Sequence, residues 1–244
     1  DYKQAYLLFC HGMGARIDTF ATFERYARDV LGIPKEQIFG TTVDETAYCE
    51  TRAQAIANYI VGCSKDEKGN VLIPDHSLIA IGHSQGGLDL RYMIGNPNPN
   101  NPLNKNFGPA ANKVKIVYTM ASPHGGAFAA NVGADEKAAW HDVSEKYNFN
   151  NREDLSYKKM KSADGKQIPF VALTFRAAQP PGNNQDSCRW SRFDTDCTSE
   201  EFVDNGRLDR WTDGEVYWNR QIFTSKSGES PPFWGPFEGC HCDE

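Results

Sequence analysis

One pentapeptide limits this chain more than any other feature: Gly82-His83-Ser84-Gln85-Gly86. It lies between the apolar run Leu78-Ile79-Ala80-Ile81 and a helical stretch from about Gln85 to Ile94. A continuous apolar run of this kind marks a strand buried on both faces of a parallel sheet. A serine in a sharp strand-to-helix turn is lifted clear of the sheet, and glycines two residues to either side remove side chains that would collide with neighbouring elements. The helix N-terminus that follows points its free N–H groups to the place where an oxyanion would form. Ser84 is therefore the candidate nucleophile. The plainer assignment is a strand-to-helix turn in which Ser84 only caps the helix.

The rest of the chain repeats the strand-then-helix alternation, which predicts an α/β class with a mainly parallel central sheet and helices on both faces. Apolar Ala5–Cys10 leads into His11-Gly12-Met13-Gly14, and a helix is expected from about Phe20 to Leu31. Phe20, Phe23, Tyr26, Ala27 and Val30 fall at spacings of 3 and 4 along it, so they are expected on one face. An extended piece at Gln37–Val43, a helix from about Glu50 to Val61, an Asn/Pro-rich loop at 95–109, and strands at Val114–Met120 and Ile168–Thr174 complete the pattern. With 244 residues the chain suits a single domain, 1–244. Two long polar stretches, at about 127–166 and 176–210, are expected to be lid or cap insertions.

An esterase site needs two oxyanion donors. Gln85, directly after the nucleophile, supplies one backbone N–H, and the glycine-flanked loop after the first strand supplies the other, from Met13. Serine also needs an imidazole base, oriented by a carboxylate. Of six histidines, His11, His76 and His83 precede Ser84, His124 comes too early to leave an acid before it, and His141 lies in a polar helix. His241 is left as the base, near the end of the sequence. Asp213, in Thr212-Asp213-Gly214-Glu215-Val216, is the first choice of acid. Asp-Gly is also an ordinary turn signal, and Asp186, Asp194 and Asp196 are rivals.

Together these motifs resemble the bacterial triacylglycerol lipases of the true-lipase group related to the Pseudomonas and Burkholderia enzymes. His11-Gly12-Met13 resembles their oxyanion loop and Arg52-Ala53-Gln54 the start of a helix. The Ser84 turn is similar to their nucleophile elbow, with Arg91-Tyr92 after it, and Ala121-Ser122-Pro123-His124-Gly125-Gly126 resembles a later segment. Thr212–Val216 and His241-Cys242-Asp243-Glu244 resemble the stretches carrying acid and base. The resemblance implies an α/β-hydrolase fold and supports Asp213 and His241. It also implies a structural calcium ion beside Asp243, although the sequence stops at Glu244 and the other ligands are missing or replaced. The chemistry itself requires no cofactor. A bridge from Cys240 or Cys242 is an alternative way to hold the terminal loop.

Seven cysteines are many for a reduced cytosolic enzyme, so a secreted protein with at least one disulfide is expected. Cys188 and Cys197 bracket a polar loop that a bridge could close, and Cys240 with Cys242 could also read as half of a metal site. Net charge is −6 with scattered basic residues, which disfavours nucleic acid or an anionic membrane as partner. No stretch approaches the roughly 20 apolar residues of a spanning helix. The expected reaction is hydrolysis of an acyl ester, of lipid or smaller size. Acyl transfer and phospholipase action by the same triad are alternatives, as is an inactive fold used for binding. Phe223, Phe233, Trp234 and Phe237 could line an acyl pocket or pack a C-terminal loop.

Overall fold

The computed structural model describes residues 4–176, 221–224 and 230–238. Its centre is a six-stranded, wholly parallel sheet in the order β2-β1-β3-β4-β5-β6. The strands are β1 (Tyr6–Cys10), β2 (Ile38–Thr41), β3 (Leu78–His83), β4 (Val114–Met120), β5 (Phe170–Arg176) and β6 (Phe233–Glu238). The helices are α1 (Ala21–Asp29), α2 (Cys49–Cys63), α3 (Gln85–Gly95), α4 (Phe107–Lys113) and α5 (Ala138–Val143).

Strand periodicity divides the core in two. Leu8 and Cys10 of β1 pack with Ala80 and Val117 against the buried sides of α2, α3 and α4. Leu7 and Phe9 point the other way, toward Phe20, Ala27 and Ile33. Successive side chains of a strand alternate between sheet faces, so one sequence supplies both layers. Helices thus lie on both faces, α1 on one and α2 to α4 on the other.

Two local features depart from the simplest reading of the pattern. Only Phe20 and Ala27 of the expected α1 face are buried, whereas Phe23, Tyr26 and Val30 are 38%, 55% and 63% exposed. At roughly 100° per residue, positions 20 and 27 nearly coincide, while 23, 26 and 30 lie about 60–120° around the helix. The single contact with the sheet is too narrow to cover them. The second is α4, whose first three residues overlap the end of the stretch expected to be loop, 95–109. Pro109 falls in the first turn of α4, where its missing N–H has no partner to lose. Phe107, Ala110 and Ala111 anchor that helix in the core.

The polar stretch 127–166 is mostly single turns around α5. Its second half is not a loose cover, because Phe149, Leu155 and Met160 are fully buried and belong to the main core cluster. Of the second expected insertion, 176–210, only Arg176 is among the described residues.

The topology also sets a switch point between β1 and β3. β1 is followed in sequence by β2 on one side, while β3 lies on the other. Loops leaving the C-terminal ends of β1 and β3 therefore diverge, and such a switch point is where parallel α/β sheets hold ligands.

Candidate active site

The two loops at that switch point are the ones singled out by sequence. Cys10 pairs with Gly82 at the strand ends, so the chain beyond each strand emerges side by side. Ser84 has φ 51° and ψ −125°, a left-handed backbone that a non-glycine residue adopts only under constraint. Its own N–H is tied to Met120 O at 2.9 Å, and Gly87 N–H reaches back to Ser84 O at 3.2 Å. A Cβ at Gly82 would stand 2.6 Å from the Gly87 backbone, and one at Gly86 would collide with Cys10 O. Both glycines are required by close backbone approach, not by flexibility. On the facing loop, a Cβ at Gly12 would lie 2.7 Å from Ser84 Cβ and 3.2 Å from its Oγ. The first-strand loop thus rests directly on the serine.

Met13, the next residue, is half-buried at the edge of this contact. Gln85 is fully buried and opens α3, so its backbone N–H is among those without an intrahelical acceptor. The Gln85 side chain is turned away, with Nε2 donating to Ala47 O at 3.2 Å.

His11 is part of the scaffold. Val43 N–H donates to its Nε2 at 3.4 Å, so that nitrogen carries a lone pair and the proton sits on Nδ1, bonded to Gly12 O at 2.9 Å. Burial holds the ring below the usual histidine range, which keeps it neutral. Three other histidines are also engaged. His76 meets Asp164 at 3.0 Å near the opposite end of β3, His141 pairs with Asp142 at 3.0 Å and stacks on Tyr147, and His124 lies between Thr119 and Arg91. His124 is completely buried and well below its ordinary pKa, first from burial and then from Arg91. Asp213 and His241 lie outside the described residues, as do Asp186, Asp194, Asp196 and Asp243.

Sequence reasoning did not single out the buried ion pair that braces the site. Arg52 of α2 donates from Nε to Asp89 Oδ2 of α3 at 2.8 Å, and both side chains have no exposure. Its Nη2 donates to His11 O at 2.6 Å and its Nη1 to Asp44 O at 2.9 Å. One guanidinium thereby joins the helix behind Ser84 to the loop in front of it. Burial pushes Asp89 up to about 6 despite the opposing pull of Arg52, and its second oxygen has only the Cys49 thiol beside it. The signal available in sequence was an arginine and an aspartate at core-facing helix positions, where charged residues are rare unless paired.

Cys10, Cys49 and Cys63 are free thiols; the cysteines expected to form bridges, Cys188, Cys197, Cys240 and Cys242, lie outside the described residues. Among the described residues no group of three or more His, Cys, Asp or Glu could hold a metal ion, and no helix is long and apolar enough to cross a membrane. Phe223 is buried, whereas Phe233, Trp234 and Phe237 are exposed.

No family model and no curated protein matches the sequence. Solved structures do. A lipase from Bacillus licheniformis in mature form aligns over 100% of this chain and 87% of its own, with TM-score 0.61 and 12% identity. Lipase 1 from Pelosinus fermentans aligns over 95% and 90%, with TM-score 0.58 and 14% identity. A metagenomic carboxyl esterase aligns over 99% of this chain and 65% of its own, with TM-score 0.56 and 13% identity. Likeness at such low identity concerns the fold, and the fold is that of the α/β-hydrolases.

Proposed function

We propose that this protein hydrolyses carboxylic esters through an acyl-enzyme formed on Ser84. The observation that carries the reading is the strained backbone of Ser84 between the end of β3 and the start of α3, with Gly12 in contact with it. Strain of this kind persists only where the surrounding structure enforces it, and it concentrates at functional sites. The similar structures include two lipases and a carboxyl esterase, which supports the same class of substrate. The sequence resemblance to the true-lipase group adds acyl lipids to the candidate esters, beside short-chain esters and phospholipids.

In this reading Ser84 Oγ attacks the ester carbonyl as His241 takes its proton, with Asp213 orienting the imidazole. The oxyanion receives N–H donors from Met13 and Gln85, each worth about 3 kcal/mol in such sites. His241 then gives the proton to the departing alcohol, and water repeats the sequence to release the acid. His241 is the base expected from the chain order serine, acid, histidine, and the buried His11 and His124 are held by neutral partners and Arg91. No step passes through a metal. A calcium ion beside Asp243 and secretion of the chain are part of the proposal and stand apart from the chemistry.

A series of p-nitrophenyl esters from acetate to palmitate tests it. The wild type is expected to release p-nitrophenol with a chain-length optimum, and Ser84→Ala to lose the activity by at least about 10⁴-fold. Equal rates from both proteins would refute the assignment.

A further inference from the structure

Arg91 lies two turns into the helix that starts beside Ser84, and it is completely buried, with no carboxylate bonded to it among the described residues. Its five N–H donors instead meet five neutral acceptors. Nε donates to Leu155 O at 3.0 Å. Nη1 donates to Asn150 Oδ1 at 2.9 Å and His124 Nδ1 at 3.3 Å. Nη2 donates to Phe149 O at 3.0 Å and Thr224 O at 3.4 Å. Burial works against the charge, and Arg152 adds repulsion, so a residue in this position is costly unless the arrangement serves a purpose.

The acceptors show what is being held. Asn150 brackets Phe223 much as a neighbouring strand would: its Nδ2 donates to Ile222 O at 2.9 Å, and its Oδ1 accepts Thr224 N–H at 3.0 Å. The Phe223 ring lies on the guanidinium, 3.6 Å from Arg91 Cζ, and stacks on His124 with centroids 5.3 Å apart. Phe170 and Tyr157 close on it edge-on. Residues 222–224 are therefore locked to the α3 framework through backbone and ring together.

We propose that Arg91 and Asn150 are positioning residues that fix residues 222–224, which lie in sequence between Asp213 and the strand β6 that precedes His241. The inference rests on the reading of Asp213 and His241 as acid and base. In sequence, residues 222–224 fall between those two positions, and β6, the next anchored element, pairs with β5 just before His241. Two catalytic groups carried on one stretch of chain need a fixed point between them, because a misplacement of about 1 Å can cost roughly 100-fold in rate. Arg91 supplies that point from the same helix that Ser84 begins.

The test compares wild type, Asn150→Ala and Asn150→Asp in p-nitrophenyl butyrate hydrolysis, with rates normalised to sites titrated by fluorophosphonate. Phe223→Leu, which keeps the burial but removes the stacking, is a second variant. Asn150→Ala and Phe223→Leu are expected to lower kcat about 100-fold with KM within about 2-fold. The acidic limb of the pH profile should move down by about one unit in Asn150→Ala as the imidazole loses its carboxylate. Asn150→Asp keeps the acceptor for Thr224 and Arg91, so it should recover part of kcat. An unchanged kcat per titrated site, or a loss with an unmoved pH profile and no recovery in Asn150→Asp, would overturn the positioning role while leaving the esterase reading intact. A wild type that neither hydrolyses esters nor labels at Ser84 would remove the esterase reading and this inference with it.

Discussion

Arg52 shows how a single buried charge can serve a loop it is distant from in sequence. It neutralises Asp89 and holds the carbonyl of His11, so removing it has two separable consequences. Arg52→Ala leaves a buried carboxylate unpaired and is expected to cost about 3–5 kcal/mol in urea unfolding. The double variant Arg52→Met/Asp89→Leu should regain most of that stability, because apolar side chains replace buried pairs well. It should still show a reduced kcat, since nothing holds His11 O. Asp89 also gives stability a pH signature. Its carboxyl titrates near 6 when folded and about 4 when unfolded, so folded molecules bind the extra proton in between. The stabilisation is fully present below about pH 4 and is lost as pH rises through 6, by up to about 3 kcal/mol. Unfolding curves from pH 4 to 7 should show this slope in the wild type and not in Asp89→Asn. The sequence made Ser84 legible because its chemistry demands a recognisable local pattern. Arg52 was legible only as part of a helix start, since its partners at 11, 44 and 89 come together through the fold.

Elements with strong local signals emerged close to expectation. β4 begins and ends where its apolar run does, and α2 and α3 differ from their expected limits by a residue or two. Misread elements depended on tertiary context: α4 is held by burial of its alanines, and α1 turns only a narrow edge to the sheet. The start of α2 is another case. Its first N–H, at Cys49, is satisfied at 2.8 Å by Asp142 Oδ2, from α5 far along the chain. This contact ties the 127–166 stretch to the helix that carries Arg52. Asp142→Ala should cost about 1–2 kcal/mol, as loss of an N-terminal cap does, measured as a shift in the urea midpoint at constant slope.

At the level of the whole molecule, parallel order and strand register decide where chemistry can occur. The reversal around β1 makes the switch point, and the Cys10–Gly82 pairing brings Gly12 against Ser84. Alternation of strands and helices foretold the parallel sheet, but the strand order that puts two separate loops in contact is a property of the assembled fold. The same burial protects the thiols: Cys10 is pushed up to about 12 by desolvation and Cys49 well above the ordinary range. A thiol reagent at pH 8 should leave both unmodified until global unfolding, while half-buried Cys63 reacts earlier, as peptide mapping will show. The proposed acid and base, Asp213 and His241, lie outside the described residues, so the central claim is best tested by chemistry. The direct measurement is reaction of wild type and His241→Ala with an alkyl fluorophosphonate, with the adduct mapped by mass spectrometry. The account predicts a single adduct on Ser84 in the wild type and a labelling rate reduced at least about 100-fold in the variant. An unlabelled Ser84 in the folded wild type, or equal labelling of both proteins, would contradict it.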